Sequence, residues 1–347
     1  MKKTLAALIV TAFAASAANA AVVYDNEGTK VELNGSLRVI MEKADKKEYD
    51  AANHSTKKSN SALRNAGSRF GITVKHNLDN DFYALGRVEF RFDDTTSRDK
   101  FGGVYAKRAY VGLGSKAIGE LKFGRQLTIA DDLTQANDYD YGFIPKKEYI
   151  PTAGTGVVRY DYKGIEGLQL SANYNFGQTN DEKGNPLKPG IKNAYAVGAL
   201  YTVGDLDARL AYGHTNFETG ASYAHRLDGV LASLGYKFGD FTLTGDFAYG
   251  HEKFDDEKTN KFYVAPGFAY QVLPASKVYG NYLYERVKGE NTKDKTHGFL
   301  LGADYQLHKQ VVVFLEGKYV TTKSYVNDAY DGKVKDRAIG VGMRVFF

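Results

Sequence analysis

The sequence predicts an all-β protein: a 16-stranded antiparallel transmembrane β-barrel. Three observations predict it. Apolar and polar residues alternate with period two along most of the 347 residues. Short turns and long polar connections succeed one another along the chain. There is no Cys and no Trp, but there are 26 Tyr and 37 Gly, and many tyrosines stand near the ends of the alternating stretches. Period two gives each strand one apolar and one polar face. A long meander built this way must hide its edges, and closing on itself is the complete solution.

The first twenty residues stand apart. "MKKTLAALIVTAFAASAANA" starts basic at Lys2 and Lys3, runs apolar from Leu5 to Ala15, and ends on Ala18-Asn19-Ala20. That is the plan of a secretory signal with cleavage after Ala20, so residues 1–20 are expected to be removed and 21–347 to form the barrel domain. The apolar run is too short to span a bilayer. No later stretch approaches the ~18 unbroken apolar residues of a membrane helix. Without Lys2 and Lys3 the formal charge falls from +5 to +3. Such a near balance gives no bulk attraction to nucleic acid. The absence of Cys excludes disulfides and thiolate metal sites.

The first alternating stretch puts Val31, Leu33, Gly35, Leu37, Val39 and Met41 on one face. Lys30, Glu32, Asn34, Ser36, Arg38 and Glu42 take the other, joined by Ile40. "RFGITVK" sets Phe70, Ile72 and Val74 against Arg69, Gly71, Thr73 and Lys75. "GLQLSANYNF" sets Leu168, Leu170, Ala172, Tyr174 and Phe176 against Gln169, Ser171, Asn173 and Asn175. The last stretch alternates to the final residue, with Ile339, Val341, Met343, Val345 and Phe347 on one face and Arg344 on the other. Sixteen strands are expected, at 31–43, 66–76, 81–93, 104–114, 118–125, 155–163, 167–177, 192–203, 205–215, 226–238, 241–252, 260–271, 276–287, 296–307, 310–322 and 334–347.

The short connections, such as "NLDND" at 77–81 and "FGDF" at 238–241, carry Gly, Asn and Asp, which is turn chemistry. The long polar ones are expected near 44–65, 94–103, 126–154, 178–191, 215–225, 252–259, 288–295 and 323–333. All of these leave the same end of the meander. The apolar face carries Tyr174, Tyr201, Tyr212, Tyr236, Tyr249, Tyr270, Tyr284 and Tyr319 near strand ends. The polar face carries Arg, Lys, Glu and Asn in strand centres. A lipid-facing outside with interfacial aromatic girdles and a watery inside needs this division. A soluble sandwich or propeller would show a blade-like repeat, and none is present.

Motifs of catalysis and metal binding fail on context. Gly112-x-Gly114-x-x-Ala117 has no helix after it and no βαβ unit around it. The "NHS" at Asn53 matches a glycosylation sequon, a weak signal in an exported bacterial chain. The seven His residues lack metal-ligand spacing. No G-x-S-x-G elbow occurs. No cofactor, no metal and no catalytic residue are expected.

The longest connection, Gln126 to Gly154, begins acidic with Asp131, Asp132, Asp138 and Asp140, then turns basic at Lys146 and Lys147. It reads either as a solvated surface loop or as a loop folded into the lumen. In the second case its acids would face inward basic residues, which by strand parity are Arg38, Arg69, Arg87, Arg91, Arg108 and Arg159. Opposed charge rows across a narrow passage set a transverse field that sorts solutes by size and polarity.

These stretches carry a resemblance. "VYDNEGTKVELNGS", "SRFGITVKHNL", "YAKRAYVGLG", "GELKFGRQLT" and the closing "VGMRVFF" resemble the trimeric general-diffusion porins of Gram-negative outer membranes. Within that family the chain is similar to the major porins of the Haemophilus and Pasteurella group. The resemblance implies a homotrimer, a third loop inside the pore, a basic constriction cluster including Arg69 and Arg108, and loop acids at or near Asp138 and Asp140. Two positions depart from the enteric pattern: Ser36 stands where a Lys is usual, and "DYDYGFIP" replaces the "PEFGG" loop tip. The implied function is passive diffusion of small hydrophilic solutes and ions through a water-filled channel, without enzymatic activity. The alternatives are a channel specific for anionic or nucleotide-like solutes and, from another class, a barrel enzyme or adhesin. The implied partners are outer-membrane lipid, lipopolysaccharide and the barrel assembly machinery, which reads a C-terminal aromatic such as Phe347. The last strand is also expected to close the barrel against the first.

Overall fold

The computed structural model describes residues 20–92, 102–219 and 224–347. The expected signal segment up to Asn19 and the core of the 94–103 connection lie outside the described residues. Among the described residues all strands belong to one antiparallel sheet. In chain order they are β1 (Ala21–Asn26), β2 (Thr29–Tyr49), β3 (Ser55–Asn65), β4 (Arg69–Asn77), β5 (Phe82–Phe92), β6 (Val104–Ser115) and β7 (Gly119–Leu127). After a long segment follow β8 (Ala153–Ile165), β9 (Leu168–Asn175), β10 (Gln178–Asn180), β11 (Pro186–Val203), β12 (Leu206–Phe217) and β13 (His225–Phe238). The chain ends with β14 (Phe241–Phe254), β15 (Glu257–Leu273), β16 (Ser276–Lys288), β17 (Thr292–His308), β18 (Val311–Val326) and β19 (Ala329–Phe346).

These segments occupy 16 wall positions, because three positions are each shared by two segments. β3 and β4 both line one edge of β2, β9 and β10 both line β11, and β1 and β19 share the other edge of β2. The ring closes there: Val341 pairs with Met41 and Arg344 with Arg38. Phe347 and Gly35 exchange two main-chain hydrogen bonds of 3.1 and 2.8 Å. The Phe347 ring lies against Gly35, where even a Cβ would come within 2.5 Å of it. The closed 16-stranded barrel and its seam agree with the sequence.

Alternation appears as alternating exposure. On β19, Ile339, Val341, Met343 and Val345 face outward, while Ala338, Gly340 and Gly342 are buried. Met41 is 64% exposed and Leu301 61%. A water-facing wall would not carry so continuous an apolar surface, but a lipid-facing one requires it.

The long connections need correction. Five of those expected as loops are largely ladder instead: β2 continues to Tyr49 and β3 resumes at Ser55, β10 and β11 leave only 181–185 between them, β14 and β15 leave 255–256, β16 and β17 leave 289–291, and β18 and β19 leave 327–328. Asn327 and Asp328 both take positive φ (49° and 62°), as a two-residue type I′ hairpin turn needs. The physical reason is height. The 21 residues of β2 extend about 70 Å at ~3.3 Å each, against an apolar band of roughly 25–30 Å. Above the band both faces meet water, so alternation vanishes although pairing such as Lys47 with Lys57 continues.

Among the described residues only the segment between β7 and β8 stays free of strands over a long stretch. It has two short 3₁₀ turns, η1 (Ile129–Leu133) and η2 (Lys146–Glu148). Both buried apolar clusters form where it meets the wall. Ile129, Ala130, Leu133, Tyr149 and Ile150 pack on Ala196, Ala211, Leu231, Ala248 and Tyr263. Tyr139, Tyr141 and Phe143 pack with Ile40, Tyr279, Leu300 and Phe314. Small wall residues make room: a Cβ on Gly213 would come within 2.6 Å of Ile150.

Candidate functional site

Two sets of charged side chains stand on the wall face opposite the apolar one. The first is cationic. Arg38 (β2) is paired with Arg344 (β19), Ser36 with Arg69 (β4), and Arg69 with Arg91 (β5). Arg87 is two residues from Glu89, and Glu89 is paired with Arg108 (β6). Glu89 is the one wall acid among them, accepting from Arg87 at 3.0 Å and Arg91 at 2.8 Å. Arg38 donates to Ser36 Oγ at 2.7 Å and Arg69 to the Gly67 carbonyl at 3.1 Å. The break between β3 and β4 is sewn to this wall, since Arg38 N–H donates to Ser68 Oγ at 2.9 Å and Ala66 N–H to the Arg38 carbonyl. Ser36, where a Lys was the family expectation, thus orients an arginine instead of adding a cation.

The second set is anionic and engages the β7–β8 segment through its main chain. Glu316 (β18), fully buried, accepts the N–H groups of Tyr139, Asp140 and Tyr141 at 2.7, 2.9 and 2.6 Å, and the Tyr279 hydroxyl at 2.8 Å. Asp246 (β14) accepts those of Gln135 and Ala136 at 2.9 and 3.1 Å. Tyrosines of the segment donate outward in turn: Tyr139 to Asp304, Tyr141 to Glu42 and Tyr149 to Glu285. Arg209 donates to the Asp132 carbonyl at 2.7 Å. A buried carboxylate is costly unless several donors meet it, and peptide N–H groups are such donors.

The residues singled out by parity fall into three groups. Arg38, Arg69, Arg87, Arg91 and Arg108 come together, and Arg344 joins them. Arg159 does not: on β8 it holds Asp161 at 2.9 Å and the segment's Asp132 at 2.6 Å. Of the other acids, Asp131 lies 3.3 Å from Lys146 within its own segment, and Asp140 is bound by Arg64, which also holds Glu42 at 2.8 Å. Asp138 is exposed and curls over Gly142. Among the described residues no ion pair joins a carboxylate of the segment to Arg38, Arg69, Arg87 or Arg91. Arg64, Glu316, Asp246, Asp304 and Arg209 escaped the sequence reading. Their one signal was a lone charge in a strand centre, as in "TGDFAYG" and "FLEGKY". Gly112 and Gly114 lie in β6 ahead of a turn into β7, so the dinucleotide-like spacing has no phosphate-binding context.

A closed barrel with a polar inner wall and a lipid-compatible outside is the setting for the comparisons. Residues 4–325 match the model of the Gram-negative porins. The chain belongs to that porin family. It is 32% identical over 379 residues to a major outer membrane protein of Pasteurella multocida strain Pm70, and 30% over 369 residues to another from that species, each alignment covering both chains in full. Among solved structures, the barrel is similar to OmpT of Vibrio cholerae (TM-score 0.72, 18% identity, 94% of this chain and 99% of that one). It is also similar to an anion-selective porin of Comamonas acidovorans (TM-score 0.68, 20% identity, 92% and 100%). Salmonella typhi OmpF follows with a TM-score of 0.67 at 15% identity, covering 94% and 100%. The porin is an outer-membrane channel for passive diffusion and not an enzyme.

Proposed function

We propose that the 128–152 segment lies across the lumen of this porin and forms its narrowest passage. One side is the arginine group of β2, β4, β5, β6 and β19. The other is the segment edge that carries Asp131, Asp132 and Asp138. The observation that supports this reading is the anchoring of five segment N–H groups by Asp246 and Glu316, which stand on the same wall face as the arginines. Small polar solutes and ions cross down their gradients. Apolar molecules are disfavoured because they cannot replace the water oriented by the field between the two sides.

The assembly in this reading is a homotrimer, as in the trimer form of V. cholerae OmpT. The outer face of β4–β7 has a shallow apolar hollow over Gly86 and Ala109, rimmed by Ile72, Val88, Val111 and Phe123, which a neighbouring barrel would fill. The rest of the apolar outside meets outer-membrane lipid and lipopolysaccharide. Cleavage follows Ala20, and Phe347 serves as the C-terminal signal to the assembly machinery as well as the seam. In planar bilayers the purified protein should give large, weakly selective conductance steps in groups of three. The absence of any step would overturn the open-passage reading. Concentration-dependent block by an anionic solute would point instead to a specific channel, the alternative that the arginine group favours.

A further inference from the structure

The turn between β10 and β11 brings a carboxylate to the arginine group from outside the wall. Residues 181–185 form a closed tip. Asp181 N–H donates to the Asn185 carbonyl at 2.8 Å, and Asp181 Oδ1 accepts the N–H groups of Lys183 and Asn185 at 2.9 and 2.8 Å. Gly184 takes a φ of +88°, a conformation glycine adopts without strain. This tip does not stand free in solvent. Glu182 Oε1 lies 2.8 Å from Lys107 Nζ and 3.8 Å from Arg108 Nη1, and the Glu182 side chain is only 19% exposed. The Glu182 carbonyl also accepts from Arg125 at 3.4 Å. Lys107 and Arg108 belong to β6, whereas β10 shares the wall position of β9, so the hairpin reaches back past β8 and β7. At the root, Gln178 Oε1 accepts the Thr155 N–H of β8 at 3.0 Å.

Arg108 is paired with Glu89 in the ladder and stands on the same face as the rest of the arginine group. The hairpin tip therefore meets that group at its β6 edge. We propose that Glu182 is a selectivity-setting residue of the channel: docked by Lys107, the β10–β11 hairpin fixes a negative charge at the β6 edge of the arginine group and weakens the anion preference that group imposes. The inference rests on the arginine group lining the passage. Burial pushes the Glu182 carboxyl up, but the hydrogen bond from Lys107 and its charge outweigh that and hold the group below its ordinary value, so it is ionised at neutral pH. A unit charge ~10 Å from a passing monovalent ion, in a water-like dielectric, changes that ion's local population about twofold.

The test is the chloride-over-potassium permeability ratio of the purified full-length channel, from reversal potentials in a potassium chloride gradient. Glu182→Gln should raise the ratio about fourfold, twofold from each ion, and Glu182→Lys further. Glu182→Lys combined with Lys107→Glu should return it toward the parent value. A purely structural hairpin contact predicts otherwise: noisier current or altered conductance in Glu182→Gln with an unchanged ratio, and that result overturns the inference. Arg108→Gln, measured alongside, separates the two levels. If it lowers the ratio while Glu182→Gln does nothing, only the role of Glu182 falls. If it too leaves the ratio unmoved, the arginine group does not line the passage, and both readings fall.

Discussion

Two arcs of one inner wall use the same kind of residue in opposite ways. From β12 to β18 the inward acids Asp246, Asp304 and Glu316 are spent on the β7–β8 segment, chiefly on peptide N–H groups. From β19 through β2 to β6, Arg38, Arg69, Arg87, Arg91, Arg108 and Arg344 have one wall acid, Glu89, among them, while Glu42 of β2 is taken up by Arg64 and Tyr141. Glu316 is wholly buried, whereas the Arg87 and Arg91 side chains keep 28% and 22% of their exposure. A carboxylate satisfied by neutral donors holds a loop in place. A guanidinium left facing water keeps its charge available to whatever passes. The first arc builds the shape of the passage and the second its field.

The largest break in this comparison should come from Glu316→Ala. It removes the acceptor of three segment N–H groups and of the Tyr279 hydroxyl. A buried neutral donor left without its acceptor typically costs about 1–3 kcal/mol. Here the loss is local, because the paired strands remain. Single-channel records should show larger and noisier conductance than the parent, with heat-resistant barrel assembly retained. Asp246→Ala, with two N–H groups at stake, should follow in the same direction by less. Unchanged conductance in both variants would mean that the packing of Ile129, Leu133, Tyr149 and Ile150 holds the segment without the acids.

The difference between the arcs also explains what the sequence could show. The outside of the barrel has a single solvent rule within the apolar band, so positions such as Leu37, Met41, Leu301 and Val345 carry it and period two survives to the last residue. The seam followed from the same pattern. The hairpins above the band lost the rule, because water lies on both sides there, and β2 to Tyr49 and β3 from Ser55 read as a loop. Parity placed Arg38, Arg69, Arg87, Arg91 and Arg108 correctly on one face. It could not place Arg159 with Asp132, or Arg64 with Asp140, because those pairings depend on the path of a segment without periodicity. That path is fixed by acids far along the chain, Glu316 for Tyr139 and Asp246 for Gln135. A main-chain N–H leaves no mark in sequence, so half of each contact was invisible.

A second, smaller effect sharpens the other arc. Arg38→Gln with Arg69→Gln removes two charges whose side chains touch neutral acceptors, Ser36 Oγ and the Gly67 carbonyl. No carboxylate is left stranded, so folding should be little changed. Reversal potentials in a salt gradient should move toward cations while conductance stays near that of the parent. If conductance instead rises as it does in Glu316→Ala, the arginines shape the passage and the division between the arcs is wrong.

The smallest effect is the most discriminating. Asp138 and Asp140 are two residues apart and carry the same charge, yet their surroundings differ. Asp140 is bound by Arg64, which already holds Glu42, and Asp138 is exposed over Gly142. Either removal takes away one unit of charge, so what differs is how near that charge stands to a passing ion: Asp138 is exposed, whereas the Asp140 side chain is only 10% exposed and set back against Arg64. Asp138→Asn should therefore shift the reversal potential toward anions, and Asp140→Asn should shift it less. Equal shifts would show that the two carboxylates stand equally near the moving ions. A larger shift for Asp140→Asn would mean that its charge, not that of Asp138, faces the moving ions, and the cationic arc would then be opposed by a different point on the segment.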